Sequence, residues 1–250
     1  MALFLIFWFF VQTTWDFKNR IKTFLDFTIV SILSGVTSLI MILPTFLDLK
    51  THGEKLTSVD RLFTEKTWFL DIFAKNFIGS FDTTKYGSIP MIYVGIVPLL
   101  LAILFFTLKS IKFHVKLSYF FLIIIFIASF SLERLDLFWQ GMHAPNMFLH
   151  RYSWLFSLLI IFLAAETLQC LKQIKFKNLI ISFTILSIGF ILVFIFRKHY
   201  DFLGPVNFIL TLEFLLAYLL IFGTFTKSFI SKKVFFVTTL AFVCFEVSLN

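Results

Sequence analysis

Residues 178–196 read NLIISFTILSIGFILVFIF and contain no charged side chain. A helix needs about 20 mostly apolar residues to cross a hydrocarbon core about 30 Å thick. Three lysines, Lys172, Lys175 and Lys177, lie just before this run. The stretch therefore predicts a transmembrane helix that begins beside a basic loop.

The same signal recurs along the 250 residues. The predicted spans are 2–15, 27–47, 90–108, 117–132, 152–171, 178–196, 206–225 and 234–249. The chain is 59% hydrophobic and only 14% charged, whereas soluble domains have about 45–50% apolar and about 25% charged residues. This composition excludes an ordinary soluble enzyme. We predict a single all-α domain, a polytopic transmembrane bundle of about eight spans.

Lysine and arginine are distributed unevenly between the loops. The loops after the first, third, fifth and seventh spans hold 12 of the 22 basic residues and two of the 14 acidic ones. Because short cytoplasmic loops carry an excess of Lys and Arg, these loops are predicted to be internal and both termini external. The basic charge thus reflects topology, so the predicted partner is the lipid bilayer and not nucleic acid.

The two ends predict that the sequence is part of a larger unit. Span 2–15 would extend about 21 Å at 1.5 Å per residue, less than the hydrocarbon core, and it lacks the features of a signal peptide. Asn250 follows the last span directly. We expect a missing N-terminal portion or a partner subunit; a short span in a thinned bilayer is the alternative.

The longest predicted external loop covers residues 48–89. Within it, Trp68, Leu70, Phe73, Phe77 and Ile78 recur at helical spacing between polar residues. This pattern predicts an interfacial helix lying in the headgroup plane with its apolar face towards the lipid. A loop packed on the protein's own outer surface is the alternative. Either arrangement covers the external side of the bundle.

A second external loop, residues 133–151, ends in Arg151 at the start of a span. The guanidinium group offers a planar set of donors that matches phosphate oxygens, although arginines at span ends also extend to lipid headgroups. The loop contains His143 and His150 as possible ligands or acid–base groups, with Glu133 and Asp136 in the same loop; histidines that simply lie at the interface are the alternative. Zinc-type spacing is absent, so neither a metal site nor a cofactor is predicted.

Three acidic residues lie within predicted spans: Glu166, Glu213 and Glu246. Carboxylates inside membranes are costly and mark functional positions by default. Glu213 is the deepest and could relay protons or line a cavity. A protonated side chain that is hydrogen-bonded to a neighbouring helix is the alternative.

Three short motifs resemble, in the same order, those of the YfhO-type bacterial membrane proteins. Residues 139–157, WQGMHAPNMFLHRYSWLFS, resemble the family pattern W-H-G-x-x-x-P-x-x-F-P-Y-R-x-S-F-x-F-S. LPT at 43–45 and PMIYVG at 90–95 are similar to two further family motifs. Gln140 replaces the usual His, and Leu149-His150 replaces Pro-Tyr. The resemblance covers roughly residues 1–170.

This resemblance implies a GT-C-like glycosyltransferase in the bacterial cell membrane. Such enzymes pass sugar from a polyprenyl-phosphate carrier to an external polymer such as lipoteichoic acid. By the same resemblance, Arg151 would bind the carrier phosphate. The other positions implied near substrate are Asn146, Trp139, Tyr93 and His143.

The acidic external loop expected in the family does not occur in this sequence. No catalytic residue is therefore assigned, enzymatic activity stays open, and the chain alone is expected not to transfer sugar. Two alternatives remain: a transporter or permease component built around Glu213, and a non-catalytic membrane partner of another subunit.

Overall fold

The structure is a computed structural model that describes residues 17–52, 61–64, 67–80, 90–140, 142, 150–200 and 202–250. Nine α-helices lie within these ranges: α1 (Phe17–His52), α2 (Asp71–Ala74), α3 (Ile96–Thr107), α4 (Phe113–Ser131), α5 (Glu133–Trp139), α6 (Ser153–Gln169), α7 (Phe176–Ile195), α8 (Pro205–Thr226) and α9 (Lys232–Leu249). The regular structure of the described part is helical apart from one isolated bridge. The all-α prediction is confirmed.

Within the described residues, four helices are long and apolar enough to cross a membrane. These segments are Phe24–Pro44 within α1, Phe113–Ser131, Phe176–Ile195 and Pro205–Thr226. Two further apolar helices, Ile96–Thr107 and Ser153–Gln169, are shorter. The predicted span 2–15 lies outside the described residues, and the count of eight spans stays a prediction.

Helix α3 forms the centre of the bundle. Eight of its twelve residues are buried, and it packs against α6, α7 and α8. It extends only about 18 Å at 1.5 Å per residue, because residues 90–95 of the predicted span are not helical. Helix α9 packs on α8, whereas none of the described side chains of α1 is buried.

The non-helical start of α3 is satisfied by side chains from elsewhere. The Val94 amide donates to Asn76 Oδ1 at 3.2 Å, and the Ile96 amide donates to Glu246 Oε1 at 2.8 Å. Irregular backbone at membrane depth is tolerated only where the protein itself supplies such partners. The apolar run alone did not predict that residues 90–95 are non-helical or which side chains bind their backbone.

The described part of the long loop packs on the protein, which is the second of the two arrangements considered above. Its helix α2 has four residues, and Phe77 and Ile78 beyond it are 1% and 0% exposed. Phe73 lies against Gly189 of α7, where a larger side chain would collide with the ring. The loop therefore forms part of the hydrophobic core.

Residues 61–64 attach to the end of α4. Phe63 and Leu132 form an antiparallel bridge, and the Thr64 amide donates to the Ser131 carbonyl at 3.0 Å. At the same end of the bundle, residues 67–80 are hydrogen-bonded to Tyr200 and to Thr211 of α8, and Asp71 interacts electrostatically with His150. We call this the loop end; it corresponds to the side that the lysine distribution predicts to be external.

Candidate functional site at the loop end

A buried carboxylate–imidazole pair lies between α5 and α6. Asp136 of α5 is 6% exposed and His150, just before α6, is 2% exposed. The His150 Nδ1 atom lies 2.7 Å from Asp136 Oδ1. Such a contact orients the ring and stabilises positive charge on it.

Two further donors complete the surroundings of Asp136. Gln140 Nε2 donates to Oδ2 at 2.9 Å, and the Tyr152 hydroxyl contacts Oδ1 at 2.9 Å. The same hydroxyl donates to the Ser129 carbonyl at 2.7 Å. Because a phenol has one proton, Tyr152 shares it between a carbonyl and the carboxylate.

The far nitrogen of the pair is open. His150 Nε2 is buried and has no hydrogen-bond partner among the described residues. Most buried polar atoms are hydrogen-bonded, so an unpaired one requires an explanation. The backbone of His150 is also in the left-handed region, with φ of 56°, which for a residue other than glycine often accompanies a functional site.

Aromatic rings enclose the pair on one side. The Trp139 ring stacks between Phe126, at 5.8 Å, and Tyr152, at 5.3 Å between centroids. Its indole N–H donates to Ser129 Oγ at 3.0 Å. Trp139, which the resemblance implies near substrate, is half-buried and packs on Tyr152, whose hydroxyl contacts Asp136.

Arg151 lies beside His150 in sequence but its side chain is exposed. The imidazole of His150 is therefore buried, whereas the guanidinium group of the next residue, Arg151, is exposed. Asn146 and His143, two other predicted site residues, lie outside the described residues.

Tyr93 belongs to a different cluster. Its hydroxyl donates to Glu246 Oε1 at 2.7 Å, and the Tyr218 hydroxyl donates to Oε2 at 2.7 Å. With the Ile96 amide, three donors surround this carboxylate, which is 1% exposed. Negative charge is favourable at a helix N-terminus, so Glu246 of α9 acts as the N-terminal cap of α3.

A third buried carboxylate, Asp71, joins the long loop to the segment after α7. Its Oδ2 accepts from the Trp68 amide at 2.6 Å and its Oδ1 accepts from the Tyr200 hydroxyl at 2.9 Å. Burial raises the pKa of Asp71, while these two hydrogen bonds act in the opposite direction. The Trp68 ring also contacts the His199 ring at 4.6 Å.

The predicted intramembrane acid Glu213 is exposed on α8. The transporter prediction needs this carboxylate to face an interior cavity, and its exposed position gives that prediction no support. Sequence reasoning gave Glu246 less weight, although Glu246 is the enclosed carboxylate. No local signal could have distinguished them, because the partners of Glu246 lie 28 to 153 residues away.

An apolar cavity of about 330 Å³ lies between α7 and α8, below the loop end. Phe77, Phe190, Phe194, Phe208 and Leu215 contribute to its lining. Among the described residues, no group of three or more His, Cys, Asp or Glu side chains is arranged to hold a metal ion.

The family described as bacterial membrane protein YfhO matches the chain over residues 1–250. The chain belongs to this family. The match extends beyond the 1–170 region of the three motifs and includes α7, α8 and α9. No curated protein and no solved structure matches this YfhO-family chain significantly.

Proposed function

We propose that this YfhO-family protein takes part in sugar transfer from a polyprenyl-phosphate carrier to a cell-envelope polymer, such as lipoteichoic acid, on the external side of the bacterial membrane. The single observation that carries the proposal is the exposed guanidinium group of Arg151 at the start of α6. An exposed arginine at the interface can bind a phosphate in the headgroup region.

One further feature supports a lipid-linked substrate. The exposed Arg151 directly follows His150 of the buried Asp136–His150 pair, so a guanidinium group and an imidazole adjoin in one segment, as phosphate binding and proton transfer at a common site would require.

Binding of the carrier tests the proposal most directly. Protein in nanodiscs that contain polyprenyl-phosphate glucose would be compared with its Arg151→Gln variant by native mass spectrometry. Hydrogen bonds to charged groups contribute about 1.5–3 kcal/mol, so affinity is expected to fall by about 10- to 150-fold. Arg151→Lys keeps the charge without the planar donor set and should have an intermediate affinity.

Arg197→Gln is the matched control. Arg197 is also exposed at the loop end, where its guanidinium group lies 5.3 Å from the Phe194 ring. Its replacement should leave carrier affinity within about twofold. Equal loss in the Arg151 and Arg197 variants would show general headgroup attraction, and an unchanged Arg151→Gln variant would refute the proposed role.

A further inference from the structure

We propose that His150, oriented by Asp136, is the proton acceptor for the hydroxyl group that attacks the carrier-linked sugar. This inference rests on the proposed function and adds to it a residue and an atom, His150 Nε2. The sequence pattern does not assign this role, since the family motif has Pro-Tyr where this chain has Leu149-His150.

The contact with Asp136 sets the chemical state of the ring. With Asp136 ionised, Nδ1 carries a proton and donates to Oδ1 across 2.7 Å. In a neutral imidazole the other nitrogen then has the free lone pair. The pair thus directs a basic nitrogen, Nε2, away from the carboxylate.

The buried carboxylates of the loop end are less suitable as bases. Glu246 accepts from three donors, and Asp71 accepts from two. Asp136 itself is surrounded by His150, Gln140 and Tyr152. His150 Nε2 is, in contrast, an acceptor that has no partner among the described residues.

An open nitrogen inside the protein costs free energy, because it has lost its water without gaining a partner. A ligand hydroxyl would supply that partner. His150 is 2% exposed, so a hydroxyl bound to Nε2 would be shielded from competing water.

The proposed step is balanced as follows. The acceptor hydroxyl gives its proton to His150 Nε2 while its oxygen forms a bond to C1 of the sugar. The bond from C1 to the phosphate oxygen breaks, and the electron pair leaves with the polyprenyl phosphate. The imidazolium ion, stabilised by Asp136, afterwards returns the proton to water.

The proton state of His150 is the first test. Protein labelled with ¹⁵N-histidine would be studied by NMR in nanodiscs at neutral pH, with His150→Gln used to assign the signal. We expect a neutral ring with the proton on Nδ1. Asp136→Asn should give a mixture of tautomers, since a carboxamide can present either its oxygen or its nitrogen to the ring. Tyr152→Phe, which removes another contact to the same Oδ1, should leave the tautomer unchanged.

The pH profile of sugar transfer is the second test. Transfer from polyprenyl-phosphate glucose to lipoteichoic acid would be measured in native membranes, which hold the protein together with any partner it needs, because the chain alone is expected not to transfer sugar. General base catalysis contributes about 10²- to 10⁴-fold, so His150→Gln should lose that factor together with the decline of the rate at acidic pH. Three titratable neighbours also affect this pH profile. Asp136 contacts both His150 and Tyr152, and the pKa of Asp71 in α2 responds to charge on His150. Asp71→Asn is therefore the control and should retain the acidic decline.

The outcomes separate the two proposals. A protonated Nε2 in the wild-type protein, or an acidic decline that persists in His150→Gln, overturns the role of His150. If carrier affinity still depends on Arg151 in that case, the proposed function stands. The proposed function itself is contradicted if carrier affinity is the same in the wild type and Arg151→Gln, or if wild-type membranes show no sugar transfer.

Discussion

Asp136 and Glu246 are both buried carboxylates surrounded by hydrogen-bond donors, but the donors differ in kind. The donors to Glu246 are one backbone amide and two phenols, and each directs its proton at the carboxylate. One donor to Asp136 is a histidine whose second nitrogen has no described partner. Burial and hydrogen-bond number are therefore similar in the two clusters, and the difference between them is the open nitrogen one group beyond Asp136.

The largest expected effect is on the structural carboxylate. Glu246→Ala leaves the Ile96 amide and the Tyr93 and Tyr218 hydroxyls without their acceptor. Each unsatisfied buried group costs about 1–3 kcal/mol, so the free energy of unfolding should fall by about 3 kcal/mol or more. Denaturant unfolding in detergent would measure this. Glu213→Ala, at an exposed carboxylate, should change it by less than about 0.5 kcal/mol; equal losses would contradict the comparison.

The second prediction concerns the close approach between Gly95 and Glu246. Gly95 has φ of 86°, and a Cβ atom there would lie 3.3 Å from Glu246 Oε1. Gly95→Ala should destabilise the fold by about 1–2 kcal/mol, because left-handed backbone is unfavourable for alanine. Thermal unfolding would measure this. Gly35→Ala in α1, where nothing lies within 4 Å of the added Cβ, should be neutral or stabilising.

A third prediction compares one phenol from each cluster. Tyr218→Phe and Tyr152→Phe each remove one buried hydroxyl, and each should lower the free energy of unfolding by about 1 kcal/mol. Carrier affinity, measured in the same nanodiscs, should be unchanged in Tyr218→Phe. A large loss of affinity in this variant would place the Glu246 cluster in the substrate site.

The smallest effect on the free energy of unfolding is expected at Asp71. Burial raises the pKa of this carboxyl above its ordinary value of 3.8. A raised folded-state pKa means that the protonated form stabilises the fold; this contribution is full below the unfolded-state pKa and is lost as pH rises through the folded-state pKa. Asp71→Asn stays neutral and can still bond to Trp68 and Tyr200. Relative to wild type, the variant should be more stable at pH 7 than at pH 4 by unfolding measurements. A constant difference would show that Asp71 does not titrate in this way.

The helices were predictable from sequence because hydrophobic runs and flanking lysines are local signals. The predicted run 178–196 corresponds to α7, Phe176–Ile195. The start of α3 was not predictable, because Glu246 and Asn76 determine it from distant positions. An apolar run shows that a segment suits the membrane, but it does not show where the backbone stops being helical.

The site was only partly predictable for the same reason. Arg151 is exposed, and its position just before a span is a local signal that indicates it. Trp139 was implied near substrate as the first residue of the 139–157 motif, but the motif did not predict that its half-buried ring stacks between Phe126 and Tyr152. The pairing of Asp136 with His150 joins residues 14 positions apart through a turn, and composition and spacing gave no measure of their distance.

The cap on α3 has a consequence for biosynthesis. Glu246 is made 150 residues after the Ile96 amide that it binds. Until α9 leaves the ribosome, the N-terminal end of α3 lacks its cap, and the hydroxyls of Tyr93 and Tyr218 lack their acceptor. Quality-control proteases that recognise exposed polar groups in the membrane would thus have access to these groups until α9 inserts. Synthesis speed over α9 would then influence how many chains survive.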